Sequence, residues 1–172
     1  MENPLRLLLT GPPGCGKTTV MLRLAELLPD RRLAGFYTRE LREHGQRVGF
    51  EAVGLSSGLR ATMAHVNIPS GQRVGRYGVD CSSLEPIIKA ELEKSGDVDA
   101  YLIDEIGKME LLCPSFTGAV SQLLDGLVPV IATVAMKGSG LIAAVKRRPD
   151  VRLVQVTVAN RDELPGELAR SL

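Results

Sequence analysis

The stretch LRLLLTGPPGCGKTTVMLRLAELLP, residues 5–29, decides the architecture. Leu5 to Thr10 is a continuous apolar run of strand length, and Gly11 to Gly16 is a turn rich in glycine and proline. Val20, Met21, Leu24, Leu27 and Leu28 then recur at helical spacing until Pro29. Inside the turn, Gly11-Pro12-Pro13-Gly14-Cys15-Gly16-Lys17-Thr18 satisfies GxxxxGK[ST] at every fixed position, between a strand and a helix as the pattern requires. The glycines let the backbone curl closely around phosphate oxygens, and the amides that open the helix point at an anion its dipole favours. Lys17 adds a mobile positive charge for β- and γ-phosphates, and the Thr18 hydroxyl is a ligand for magnesium. The candidate nucleotide-binding residues are therefore Gly11, Pro12, Pro13, Gly14, Cys15, Gly16, Lys17, Thr18 and Thr19. Cys15 is expected to act through its backbone, and Thr19 as a helix residue beside the ligand.

A phosphate loop of this kind needs an acid at the end of a second apolar strand to hold the metal. YLIDEIGKMELL, residues 101–112, supplies two in succession. Asp104 is expected at an exposed strand end, placing magnesium with Thr18. Glu105 projects to the other side of the pleat or onto the loop beyond, where it can polarise a water aligned with the γ-phosphate. Lys108 is a candidate for stabilising charge on the leaving phosphate, alongside Lys17; its plain alternative is a surface lysine on a turn.

Between the two motifs, GFYTRELREHGQRVGFEAVGL, residues 35–55, reads as two strands joined at Glu43-His44-Gly45-Gln46, and its many charges suit the edge of a sheet. Ala61 to Ile68 is a further strand, and Pro69 to Gly78 a polar loop in which Arg73, Arg76 and Tyr77, with Asp80 just beyond, could close over a nucleotide. Ser82 or Ser83 can cap a helix with Pro86 in its first turn. Phe116, Ala119, Val120, Leu123 and Leu124 form a helical stripe, Val128 to Val134 a strand, Leu141 to Lys146 a short helix and Val151 to Val158 the last strand, before a short C-terminal helix. Thr157, Asn160 and Arg161 follow where phosphate-loop folds often contact the base. Strands alternating with helices imply an α/β domain with a mostly parallel sheet covered on both faces. With no linker or repeat, residues 1–172 are expected to form a single domain. An extra strand is expected between the phosphate-loop strand and the Asp104 strand.

The chain has 172 residues, 44% of them hydrophobic, enough for one substantial core. A net charge of +1 and an aromatic content of 3% point to neither a nucleic-acid surface nor a basic membrane-seeking face. The N-terminal apolar run is too short to span a membrane and lacks a secretory pattern, so a cytoplasmic protein is expected, with a monomer as the default. Cys15, Cys81 and Cys113 form no CxxC pair and read as small buried apolar residues rather than as a disulfide or metal set. His44 and His65 read as structural.

The segments GPPGCGKTT, GFYTRELREHGQRVGF, GRYGVD, YLIDEIGKMEL and KRRPDVRLVQVTVANRDELP together resemble the small nucleoside-triphosphatase family first known from thermophiles, which includes the cancer-related nucleoside-triphosphatase. The resemblance covers essentially the whole chain, and the GFYTRE hairpin and DEIGKMEL are its specific parts. The adjacent Asp-Glu pair and the expected extra strand resemble the RecA-like class of P-loop NTPases, with an added strand and a catalytic glutamate: a three-layer sandwich, here with an antiparallel edge hairpin. The resemblance implies Mg²⁺-dependent hydrolysis of ATP, GTP and other nucleoside triphosphates to the diphosphate and phosphate, with little base preference. Two segments depart from the family pattern, Cys81-Ser82-Ser83-Leu84 where acidic residues are common and the glycine-rich 137–140 loop. The residues alone leave open a nucleotide or small-molecule kinase, and a nucleotide-dependent switch associated with RNA or protein.

Overall fold

A computed structural model of the chain describes residues 4–93 and 96–172. The phosphate-loop unit folds as read, with strand β1 (Arg6–Thr10) feeding helix α1 (Lys17–Glu26). Strands β2 (Leu33–Glu43) and β3 (Gln46–Gly54) form the hairpin, turning at His44 and Gly45 with φ of 48° and 78°. That left-handed pair gives a two-residue turn the twist that two adjacent strands need. Then come β4 (Arg60–His65), β5 (Arg73–Val74), β6 (Tyr77–Val79), helix α2 (Cys81–Ile87) and strand β7 (Ala100–Ile106). Helix α3 (Pro114–Asp125), strand β8 (Val130–Val134), helix α4 (Leu141–Lys146), strand β9 (Arg152–Gln155) and helix α5 (Leu164–Ala169) complete the chain.

The strands form one sheet in the order β5-β6-β4-β3-β2-β7-β8-β1-β9. The extra strand is β8, which lies between β1 and β7 and pairs in parallel with both. The sheet is mixed, however, rather than mostly parallel. From β2 to β9 all neighbours run parallel, and from β2 to β5 all run antiparallel. The expected edge hairpin is therefore interior: β3 continues into β4, and β2 pairs with β7 through Leu33–Phe36 while pairing with β3 along the rest of its length. Charge content suggested an edge because the outer halves of β2 and β3 run clear of β7, where their arginines and glutamates pair with one another. The loop read over Pro69–Gly78 likewise contains the small β5–β6 hairpin, which closes the sheet.

Alternation along the central strands sends side chains to two cores. Leu7, Leu9, Leu102 and Ile131 pack under α1 and α5, while Leu8, Ile103, Val130 and Ala132 meet α2, α3 and α4 on the other face. Helices on both faces of the sheet make the three-layer sandwich. Helix α2 starts before either serine. The Asp80 carboxylate accepts from the backbone N–H groups of Ser82 and Ser83, so Pro86 sits in the second turn and not the first. A π turn over Ile88–Leu92 follows, and it carries Glu91 into the interior, where its carboxylate accepts from the N–H groups of Gly35, Ser56 and Ser57. The cysteine reading is corrected too. Cys81 and Cys113 are disulfide-bonded across 32 residues, with Cα atoms 5.2 Å apart, because the fold brings the first residue of α2 beside the residue that precedes α3. Cys15 is buried and free.

Candidate functional site

The loop from Gly11 to Gly16 curls back on itself at the end of β1, with φ of 77° at Gly14 and 105° at Gly16. A side chain at Gly16 would be strained by that backbone and would also press on Arg161, whose Cδ lies 3.1 Å from a built Cβ. The Lys17 ammonium crosses the loop and donates to the carbonyl oxygens of Gly11 at 2.9 Å and Pro12 at 3.3 Å. The Thr18 hydroxyl reaches across to the other motif and donates to Asp104 Oδ2 at 2.6 Å.

Asp104 departs from its expected exposed position: it is only 1% exposed. Its second oxygen accepts from the buried hydroxyl of Thr133 on β8, also at 2.6 Å. Burial pushes the Asp104 carboxyl up from the usual range, while the Thr133 and Thr18 hydroxyls, the Thr38 backbone and the Lys17 charge oppose the rise. The β7–β8 register shifts between Ile103 and Ile106, so Asp104 and Glu105 lie where the ladder is irregular, and the peptide bond between them is cis. Glu105 is half-buried and faces away into the cleft. Its carboxyl is raised by burial first and by the Asp104 charge second, with Lys17 pulling the other way.

Three cavities meet at Glu105. A cleft of about 570 Å³ runs from Pro13, Gly14 and Lys17 to Thr38, Arg39 and Phe50. A second, of about 560 Å³, lies between the phosphate loop and Ala135, Met136 and Lys137 in the segment after β8. Lys146 holds that segment, its ammonium donating to the carbonyls of Ala135 at 2.5 Å and Met136 at 2.8 Å. The third is bordered by Lys108 and Glu110. Lys108 is exposed on the turn after β7. Glu110 is buried, and its carboxyl is pushed up to about 8, mainly by loss of hydration and further by the nearby Glu105 and Asp104 charges. Gly107 makes room for both glutamates: a Cβ there would lie 2.7 Å from Glu105 Oε1 and 2.9 Å from Glu110 Oε2.

The arginines and polar residues around the site separate. Arg39 lines the main cleft while paired with Glu51 at 2.5 Å, whereas Arg42 and Arg47 both pair with Glu40, at 2.6 and 2.8 Å. Arg73 and Arg76 serve the small hairpin: Arg73 donates to the Arg76 carbonyl, and the Arg76 guanidinium sits 5.4 Å over the Tyr77 ring. Arg161 lines a cavity of about 230 Å³ beside Gly16 and Thr19, but Asn160 is occupied locally, accepting from Thr157 N–H and donating to the Gln155 carbonyl, both at 2.8 Å. The sequence reading overlooked Thr133, Glu110, Lys137 and Phe50. Thr133 had a faint signal as the lone hydroxyl near the end of the apolar run VPVIATV.

Together the site offers a tightly curled glycine loop at a helix start, a lysine, a threonine–aspartate pair and a half-buried glutamate, the set phosphoryl chemistry uses. The NTPase family profile matches residues 6–169. The chain belongs to the nucleoside-triphosphatase family. A nucleoside-triphosphatase THEP1 from Thermofilum pendens is 44% identical over 170 residues, spanning 96% of this chain and 93% of its own. One from Natranaerobius thermophilus is 40% identical, with 96% and 95% covered. Two solved structures share the fold. The crystal structure of THEP1 from Aquifex aeolicus has a TM-score of 0.80 at 31% identity, covering 95% of this chain and 96% of the other. The solution structure of a human cancer-related nucleoside triphosphatase has a TM-score of 0.78 at 36% identity, with 97% and 96% covered. This nucleoside-triphosphatase is thus an enzyme of the P-loop NTPase fold, and no helix among its described residues is long and apolar enough to cross a membrane.

Proposed function

We propose that this chain hydrolyses ATP, GTP and other nucleoside triphosphates to the diphosphate and phosphate, with magnesium as its cofactor and little preference for the base. The observation that carries this reading is the 2.6 Å hydrogen bond between Thr18 and Asp104, which joins the phosphate loop to the acid strand one residue from Glu105. Only hard oxygen donors, the Thr18 hydroxyl and the Asp104 carboxylate, meet there, which suits magnesium held partly by the nucleotide phosphates. Among the described residues no cluster of three acids, histidines or cysteines forms a separate metal cage. When bound, the cation neutralises charge on the β- and γ-phosphates.

The loop amides from Gly14 to Thr19 cradle the phosphates, and Lys17 exchanges the Gly11 and Pro12 carbonyls for phosphate oxygens. Thr18 and Asp104 hold the metal side, with Thr133 fixing the orientation of Asp104. Glu105 orients a water towards the γ-phosphate and accepts its proton. Its partial burial raises its proton affinity and so improves it as a base. Lys108, exposed beside Glu105, stabilises the departing phosphate. Broad base acceptance is supported by the cavity beside Gly16, which is walled by the long side chains of Arg23 and Arg161, while the nearby Asn160 amide is occupied.

Phosphate release from a panel of nucleoside triphosphates, with magnesium and with EDTA, tests the reading. In Glu105→Gln, kcat should fall at least about 100-fold with little change in KM, within the span general-base catalysis supplies. Turnover equal to wild type would overturn the role of Glu105.

A further inference from the structure

Hydrolysis needs room beside Glu105 for one water, about 10–15 Å³ of cavity. The cavity on the Lys108 side of Glu105 is about 250 Å³. Its walls are mainly apolar, from Phe50 on β3, Val74 on β5, Met109 after β7 and Ala135 after β8. Their separate origins make it a product of the tertiary fold. Phe50 is held in place by an edge-on contact with Tyr77, ring centres 5.2 Å apart. The cavity shares Thr38, Phe50 and Glu105 with the phosphate cleft, yet no phosphate-loop residue borders it. It therefore reaches Glu105 without contact with the phosphate loop, so a molecule there can face a γ-phosphate held in the cleft the two cavities share. Water needs no such apolar walls, whereas an organic molecule gains from them.

We infer that this cavity binds a second substrate, a small alcohol with an apolar body, whose hydroxyl replaces water as the phosphoryl acceptor. The inference rests on the proposed placement of the triphosphate against Lys17 and Glu105. The hydroxyl oxygen forms a bond to the γ-phosphorus as the bond from that phosphorus to the β–γ bridging oxygen breaks. The electron pair of the broken bond stays on the nucleoside diphosphate, and the hydroxyl proton passes to the Glu105 carboxylate. The products are a phosphate monoester and the diphosphate. The apolar body displaces the water that would otherwise compete.

Wild-type protein with magnesium and γ-labelled GTP, given benzyl alcohol or methanol at equal millimolar concentration, tests this. Methanol has the nucleophile without the apolar body. Benzyl phosphate should form in a saturable way, its label relative to free phosphate exceeding that of methyl phosphate by roughly tenfold or more. Val74→Trp, which fills the cavity, should lower the benzyl phosphate to phosphate ratio by roughly tenfold. Because this is a partition ratio, a partial loss of turnover or of folded protein leaves it interpretable. The Met109 methyl resonance should shift on adding benzyl alcohol alone. No benzyl phosphate above the methanol level, a ratio unchanged by Val74→Trp, or a Met109 shift without ester would each overturn the acceptor role. Phosphate release without alcohol separates the two readings: its absence from wild type sinks the hydrolase reading, whereas its presence there and loss in Glu105→Gln, with no ester in wild type, sinks only this inference.

Discussion

Asp104 gives up almost all contact with water, and two hydroxyls on different elements, Thr18 and Thr133, make that tolerable. Removing one should cost more than a surface change would, since the freed carboxylate oxygen has no water to turn to. Thr133→Val is expected to lower stability by about 1–3 kcal/mol in urea denaturation and to raise the magnesium concentration needed for half-maximal turnover. Glu110 makes a different prediction. Its carboxyl titrates near 8 when folded, above the ordinary carboxylate value of 4.5, so the folded chain keeps a proton that the unfolded chain has lost. Stability should therefore decline as pH rises from about 4.5 towards 8 and level off beyond, by on the order of a few kcal/mol. In EDTA without nucleotide, Glu110→Gln should flatten that slope in urea melts from pH 5 to 9. A decline of wild-type steepness in the mutant would contradict it. That Thr18 and Asp104 would meet was legible in the sequence, because a phosphate loop and an acid in a second apolar strand are each recognisable locally. Thr133 and Glu110 were not, since each takes its meaning from neighbours that only the sheet order and burial supply.

Among elements, the strands and helices of the phosphate-loop half were read in the right order with ends off by up to about three residues, because apolar periodicity reports local burial. Pairing partners were harder. The charged faces of β2 and β3 suggested an edge, and the two-residue strand β5 is too short to show a period at all. Proximity of α2 to α3 was likewise invisible, so the Cys81–Cys113 bridge went unread. That bridge ties the end of the segment carrying Lys108 and Glu110 to the start of α2. By the chain-entropy account, closing its 32-residue span contributes about 3–4 kcal/mol to stability. The double variant Cys81→Ser, Cys113→Ser should lose about 2–4 kcal/mol against oxidised wild type in denaturant titrations, and a reductant should remove most of the difference between them.

At the scale of the molecule, the sheet has a parallel half carrying the phosphate loop, Asp104 and Glu105, and an antiparallel half carrying Thr38, Arg39 and Phe50. Within it, β2 is the strand hydrogen-bonded to both, and one hydrophobic cluster runs beneath the two halves from Tyr77 and Val79 to Val134 and Val145. The chain should accordingly unfold in a single cooperative urea transition, with coincident curves from far-ultraviolet circular dichroism and tyrosine fluorescence. Two separated steps would show that the halves are independent units. The main cleft lies across this seam, with one wall from each half. A triphosphate gripped by both walls is thus a cross-brace over the joint at β2.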